Sequence, residues 1–422
     1  MSKSKSSSAE DQIRTEPIPY QKWGAEMVDQ KAVEQIDYAA RLPIARAAAL
    51  MPDAHVGYGL PIGGVLATEN TVIPYAVGVD IACRMRLSIC EPIHYMLDQK
   101  SDRFTEPLLS QTQFGVGASW SRGRRADHAV MTDPIWDMVS RLESLYDTAW
   151  EQLGTSGSGN HFVEWGVLSL LQEDEQIGLE PGNYLALLSH SGSRGLGART
   201  ADYYSKLAKS LHPDLPKEVS NLAWLDLDSE EGQEYWLAMT LAGRYAAANH
   251  AIIHERVLTA AGLQPLAHVE NHHNYAWKET LDDGTEVIVH RKGATPAGAG
   301  VLGVIPGSMG DPGYVVRGRG NGASINSAAH GAGRQMGRGQ AFRTLDRGRW
   351  QDYLKERRVT LLGGSLDESP EAYKPIDEVM MAQSDLVETV AKFTPRIVRM
   401  ADERPRDKRR RKKKERNRRQ NQ

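Results

Sequence analysis

Cysteine is scarce: the chain of 422 residues has two, Cys83 and Cys90. Two thiols cannot build a disulfide framework, and both are expected to be free in a reducing compartment. No C-x-x-C pair occurs, which excludes a zinc finger. Long apolar runs are lacking too. Nowhere does the sequence approach the roughly 18 consecutive apolar residues of a membrane span. The opening MSKSKSSSAEDQIR is charged and Ser-rich, with no apolar stretch behind it, unlike a secretory leader. The expectation is a soluble, cytoplasmic protein with no membrane partner. Internal repeats, Pro-rich linkers and sharp changes of composition are also missing between about residues 17 and 400, which argues against a string of modules.

Net charge is small, at −3, but unevenly spread. Between Arg404 and Arg419 twelve Lys or Arg face only Asp407 and Glu415, so a strongly basic end is joined to an acidic body. Such a run is expected to be a solvated, disordered tail. It would also condense on a polyanion such as RNA, with salt-sensitive and sequence-independent affinity. The expected organisation is a disordered stretch over 1–16, one domain over 17–400 and a basic disordered tail over 401–422.

What is present begins with an apolar content of 40%, ample for a core. Glycine gathers in clusters such as HVGYGLPIGG, GTSGSGNHF, SHSGSRGLG and HGAGRQMGRG, where backbone N–H groups can approach an anion closely. NYLALLS and EVIVH read as short strands leading into these loops. The stretch after Ser229 reads as a long helix capped there and stopped at Gly262. DPIWDMVSRLESLYDTAWEQL reads as a second amphipathic helix. Together these predict an α+β fold, a single intertwined domain of mixed β-sheets flanked by helices.

Seven histidines lie beside Gly, Asn or small polar residues at the ends of apolar runs: His55, His161, His190, His272, His273, His290 and His330. In GVDIACRM an acid, Asp80, stands three positions before Cys83. A buried Cys is ordinarily apolar filler, the role expected of Cys90. A thiolate can also bridge two divalent cations, with a nearby carboxylate on one and imidazoles completing both shells. Two cations roughly 3.5–4 Å apart would suit phosphoryl chemistry. His250 and His254 form an H-x-x-x-H pair on the long helix, but lack the carboxylate context of a metal motif.

The segments DAHVGYGLPIGGV, VGVDIACRM, GSGNHFVE, HSGSRGLG, HHNYAW, HRKGAT, IPGSMGDPGYVV and AAHGAGR stand in the order of the RtcB-type tRNA-splicing and RNA-repair ligases, which the chain resembles over roughly residues 17–400. The resemblance implies two manganese ions and GTP as cofactors. Cys83 would bridge the ions, His161 and His190 would bind the first, and Asp80 and His273 the second. His330 would be the nucleophile that becomes guanylylated. Asn160 would contact phosphate and Glu164 would read guanine. Asn274, Ser308, Met309, Gly331, Ala332, Gly333 and Tyr373 would complete the nucleotide pocket. The implied reaction joins RNA 3'-phosphate or 2',3'-cyclic phosphate ends to 5'-hydroxyl ends, in tRNA splicing or RNA repair. RNA is thus the expected partner, and a protein activator is a candidate one.

The chain departs from the family at its end, where the usual Lys-Gly is absent and Ala401 and Asp402 precede the basic run. It also has Ala54 and Tyr58 where the common form has Cys and Lys. Two alternatives stay open at this point: a metal-dependent 2',3'-cyclic phosphodiesterase that does not ligate, and a non-catalytic RNA- or ribosome-binding factor on a ligase scaffold.

Overall fold

The computed structural model describes residues 13–92, 97 and 101–403. The basic run after Glu403 and most of the expected disordered N-terminal stretch lie outside the described residues. The larger of two main sheets has eight strands. Seven follow the order Leu302–Ile305, Gly313–Gly318, Val387–Asp402, Phe162–Leu170, Gly182–Ser191, Arg84–Pro92 and Ala267–His272, and Thr360–Gly364 pairs parallel with Val387–Asp402. The smaller sheet has five strands, in the order Gln21–Lys22, Ala45–His55, Ile62–Thr68, Glu286–Lys292 and Asn274–Thr280. Strands distant in sequence are neighbours in both, which is the mixed, intertwined α+β architecture the patterning predicts.

The strand-like runs are apolar throughout because both faces of the larger sheet are covered. In Gly182–Ser191, alternate residues Tyr184, Ala186 and Leu188 pack with Met85, Leu87 and Phe393. The intervening Leu185 and Leu187 pack with Val257 and Leu258 of the long helix, and Cys90 joins them as fully buried filler.

That helix runs Glu230–Ala261, 32 residues. Ser229 Oγ accepts from Gly232 N–H at 3.1 Å, and Gly262 ends the helix in the left-handed conformation, φ 67°, as both sequence signals require. The second expected long helix is instead three short ones, Ile135–Met138, Ser140–Glu143 and Tyr146–Gln152. Its apolar spacing is genuine, since Ile135, Trp136, Val139, Leu142, Leu145 and Ala149 share one core cluster. Val139, however, is extended, at φ −122° and ψ 102°, so the chain bends to bury this β-branched residue rather than continuing as one rod.

Two crossings between sheets place the chemistry. His272 ends a strand of the larger sheet and Asn274 opens one of the smaller. His273 alone occupies the corner, its N–H donating to the Cys83 carbonyl at 3.0 Å and its carbonyl accepting from Gly293 N–H at 2.7 Å. The second crossing follows Lys292, where Ala294–Pro296 leaves the smaller sheet to pair with Ser327–Ala329, the strand that delivers His330.

Candidate active site

At this seam lies a cleft of about 1000 Å³, lined by Asp80, Cys83, Asn160, His161, Glu164, His190, His273, Asn274, Ser308, Met309, His330, Gly331, Ala332, Gly333 and Tyr373. Every residue the sequence reading singled out as catalytic, cofactor-binding or metal-binding is therefore in one place. Of the seven loop histidines, His55 also lines the cleft, while His272 and His290 do not. The His272 ring stacks instead near Tyr275 and Trp277. His290 is spent on the scaffold: its Nε2 accepts from Ile73 N–H at 2.9 Å, and its Nδ1–H donates to the Leu66 carbonyl at 3.2 Å.

Cys83 sits at the turn that the opposed demands of Gly78 and the following strand create. Gly78 has φ 104°, Ala82 is forced to φ 56°, and the Arg84–Pro92 strand starts immediately after. A positive φ on a buried Ala is strained backbone at a functional site. Asp80 is accommodated because Gly192 packs directly against its carboxylate, where any Cβ would collide.

Two triads converge here, Asp80–Cys83–His161 and Cys83–His190–His273, each with its donor atoms within 4.8 Å of one another. Cys83 belongs to both. Its Sγ lies 3.1 Å from His190 Nε2 and 3.5 Å from His161 Nε2. His161 Nε2 lies 2.9 Å from Asp80 Oδ2, and the Nε2 atoms of His190 and His273 face each other at 3.2 Å. The distances thus pair Asp80 with His161 and His190 with His273, whereas the sequence reading grouped His161 with His190. Strand register explains the difference: His190 pairs with Met85 beside Arg84, and Arg84 pairs with His272, next to His273.

Two of the three rings, His190 and His161, are oriented from behind. His190 Nδ1–H donates to the Asn160 carbonyl at 3.0 Å, leaving the Nε2 lone pair toward the cluster. Gly157 N–H donates to His161 Nδ1 at 3.1 Å, which turns Nε2 toward Asp80 and Cys83. Burial pushes the His190 imidazolium down to about 3, assisted by His161, and pushes His273 well down too. Burial raises Asp80, but the hydrogen bond and charge of His161 outweigh it and hold the carboxyl below its ordinary value. The His190 Nε2 lone pair thus faces His273 Nε2 beside a sulfur and a carboxylate, a donor set gathered tightly enough for cations to draw on. This S/N/O set, with one shared thiol, fits two divalent ions.

His330 is held differently. Its Nδ1–H donates to Asp53 Oδ2 at 2.6 Å and its backbone N–H to the same oxygen at 3.1 Å, leaving Nε2 as the nitrogen available to a ligand. Its ring centroid is 4.8 Å from that of His273. Asp53 is fully buried, and Lys374 Nζ bonds the carbonyls on either side of it, Pro52 and Ala54, both at 2.8 Å. Sequence reasoning missed Asp53, which stands two residues before His55, because its partner His330 is distant in the chain and no local spacing links the two. Also missed were Lys292, whose ammonium burial pushes down to about 7, and Arg194, whose charge helps depress Asp80.

On the wall of the cleft formed by Arg334, Arg338 and Tyr373, the buried Glu368 carboxylate accepts from Arg334 Nη1 at 3.2 Å and also engages Arg338 and the Tyr373 hydroxyl. Glu164 is 4% exposed, and burial pushes its carboxyl well up. Met309 is packed under Trp350, whose Nε1–H points at its sulfur from 3.2 Å. Ser308 bonds Asp311 and braces its own turn. Asn274 uses both ends of its amide on backbone, donating to the Asp80 carbonyl at 3.2 Å and accepting from Gly293 N–H at 2.8 Å. His250 and His254 are not ligands of this cluster: both bond Ser189 Oγ, at 2.6 and 2.8 Å, in the buried layer beneath. Among the described residues no helix is long and apolar enough to cross a membrane.

Comparison with known proteins agrees with this geometry. The family model for the tRNA-splicing ligase RtcB matches residues 35–401. RNA-splicing ligase RtcB1 of Escherichia coli (strain ATCC 25922) is 34% identical over 410 residues, covering 90% of this chain and 96% of the relative. RNA-splicing ligase RtcB of E. coli K12 is 33% identical with the same coverage. The tRNA-splicing ligase RtcB of Nanoarchaeum equitans is 32% identical, covering 87% and 91%. With its cleft built from the segments that carry the match, the chain belongs to the RtcB family.

Proposed function

We propose that this protein is an RNA ligase that joins 3'-phosphate or 2',3'-cyclic phosphate ends to 5'-hydroxyl ends through a guanylylated His330, using GTP and two manganese ions. The observation that carries the reading is the Asp53–His330 pair beside a double cluster sharing Cys83. An imidazole whose Nδ1–H is held by a carboxylate presents its Nε2 lone pair to the cleft, where it can attack phosphorus as a nucleophile.

Asp80, Cys83, His161, His190 and His273 would hold the ions, which when bound neutralise phosphate charge. His330 Nε2 attacks the α-phosphorus of GTP and pyrophosphate departs, giving a phosphoramidate. Asp53 stabilises the positive charge that develops on the ring. GMP then passes to the RNA 3'-phosphate, and the 5'-hydroxyl displaces it. Glu164, buried and short of partners, gains them from guanine N1–H and the N2 amino group. Asn160 and the Gly331 and Gly333 backbone, which line the cleft beside His330, would supply donors to phosphate oxygens. The basic run after Glu403 supplies non-specific grip on RNA. A 2',3'-cyclic phosphodiesterase could use the same carboxylate-held imidazole as a general base on water, but it would take no covalent GMP, so labelling separates the two readings.

The test is whether the protein, given manganese and GTP labelled at the α-phosphate, becomes covalently labelled, and whether His330→Ala abolishes the label while retaining manganese. Loss of manganese in that variant, or persistence of an acid-labile adduct, refutes the assignment.

A further inference from the structure

One stretch of the cleft rim is apolar and bare. Tyr58 is 72% exposed, Val56 47% and Val79 48%, and all three line the cleft. Singly exposed apolar side chains are ordinary on protein surfaces. Three together at the mouth of a reactive site mark a binding surface.

The loop that carries Tyr58 is fixed at every neighbouring residue. Gly57 N–H donates to Gln35 Oε1 at 2.9 Å, and the Gly57 carbonyl accepts from Gln35 Nε2 at 2.7 Å. The Tyr58 carbonyl accepts from the buried Lys292 ammonium, which also donates to the Tyr75 carbonyl at 2.9 Å. Gly59 has φ 71°, and a Cβ there would stand 3.0 Å from the Asn221 carbonyl oxygen, so a side chain would be both strained and crowded. Leu60 is fully buried. Backbone order is therefore established before any ligand arrives, while the phenol ring stays in solvent. That is how a preorganised contact surface is built.

Its surroundings select the ligand. Val79 stands between Gly78 and the metal-ligand candidate Asp80. The Lys292 that holds Tyr58 reaches the Asn274 side of the cleft, since a Cβ on Gly78 would lie 3.8 Å from both Lys292 Cε and Asn274 Cγ. Lys292 lines the cleft itself and is the cation beside Tyr58, whereas Lys209, bonded to Asn221 behind Gly59, does not line it. A flat aromatic face with apolar margins and an adjacent cation, opening onto a phosphate-handling centre, suits single-stranded nucleic acid: base on ring, backbone beside the charge.

We propose that Tyr58 is the stacking platform for an unpaired nucleobase of the RNA strand at the joining end, with Val56 and Val79 as its margin. This rests on the ligase reading above. The experiment measures joining of one oligonucleotide ending in a 3'-phosphate to another beginning with a 5'-hydroxyl, with KM determined separately for RNA and for GTP. Tyr58→Ala should raise KM for RNA about tenfold, the cost of removing one base stack, and Tyr58→Trp should stay near wild type. Abasic substitutions at the first three nucleotides on each side of the junction should cost the wild-type protein a similar factor at one position, and cost Tyr58→Ala nothing further there. Equal abasic penalties in both proteins, or an unchanged KM for RNA, overturn the platform. A rise in KM for GTP alone overturns it too, assigning the ring to the guanine. A wild-type protein that joins no ends removes the ligase reading and the platform with it, whereas joining without abasic coupling removes only the platform.

Discussion

At the scale of single residues, the two cysteines have opposite meanings despite equal burial. Cys83 ends a strained turn and faces two imidazoles at 3.1 and 3.5 Å, whereas Cys90 packs among Leu97, Phe104 and Val163. Cys83→Ser should lose manganese measured by elemental analysis after gel filtration, because it removes the one donor common to both triads. Cys90→Ser should retain manganese and lose about 1 kcal/mol of stability, the cost of a hydroxyl in an apolar cluster. Equal manganese loss in the two variants would contradict the bridging role. Asp53 belongs at this scale as well. It does not line the cleft but holds His330 through Nδ1–H and the backbone N–H, so Asp53→Asn should slow GMP labelling on the order of a hundredfold while the manganese content and the melting temperature measured by circular dichroism hold.

At the scale of elements, the ends of the Glu230–Ala261 helix were legible because capping is local chemistry. Ser229→Ala should cost about 1 kcal/mol in urea unfolding, and Gly262→Ala a similar amount through its left-handed φ. The three-part helix between residues 135 and 152 was not legible, because its break at Val139 is imposed by the core cluster and not by a local breaker such as Pro or Gly. Likewise the grouping of metal ligands depends on which strands pair, and register is set by long-range contacts that no spacing encodes. The histidine-rich segments announced a site, yet only the fold separates His273, at the corner between sheets, from His290, which pins Ile73 and Leu66. Burial pushes His290 down to about 4 from an unfolded value of about 6.5. Its folded state therefore refuses a proton that the unfolded chain accepts. The stability it permits is full above about pH 6.5 and falls by about 3 kcal/mol as pH drops toward 4. His290→Gln should flatten that part of the profile of urea midpoint against pH, and an unchanged slope would show that His290 is not among the groups responsible.

For the molecule as a whole, the architecture explains why residues from His55 to Tyr373 share one cleft. The chain passes from the larger sheet to the smaller at His273 and leaves the smaller sheet for the strand pair that delivers His330, so both histidines meet the Asp80, Cys83, His161 and His190 side chains at the strand ends of the larger sheet. The basic run after Glu403 follows in sequence the Val387–Asp402 strand, whose Met400 lines the cleft. Removing residues after Pro405 should weaken RNA binding most at low salt, and should flatten the dependence of log K on log salt by about 0.7 for each phosphate no longer neutralised. An unchanged salt slope would assign the run another purpose. The central claim, that a carboxylate-held histidine beside a thiol-bridged metal pair carries a nucleotide to RNA, is met most directly by one measurement. Purified full-length protein is incubated with manganese and α-labelled GTP, and the label is located by mass spectrometry of its peptides. The account predicts one GMP on His330, acid-labile and alkali-stable, which transfers to a 3'-phosphate RNA when that RNA is added. A GMP on any other residue, or RNA joined by a protein that never carries GMP, would contradict it.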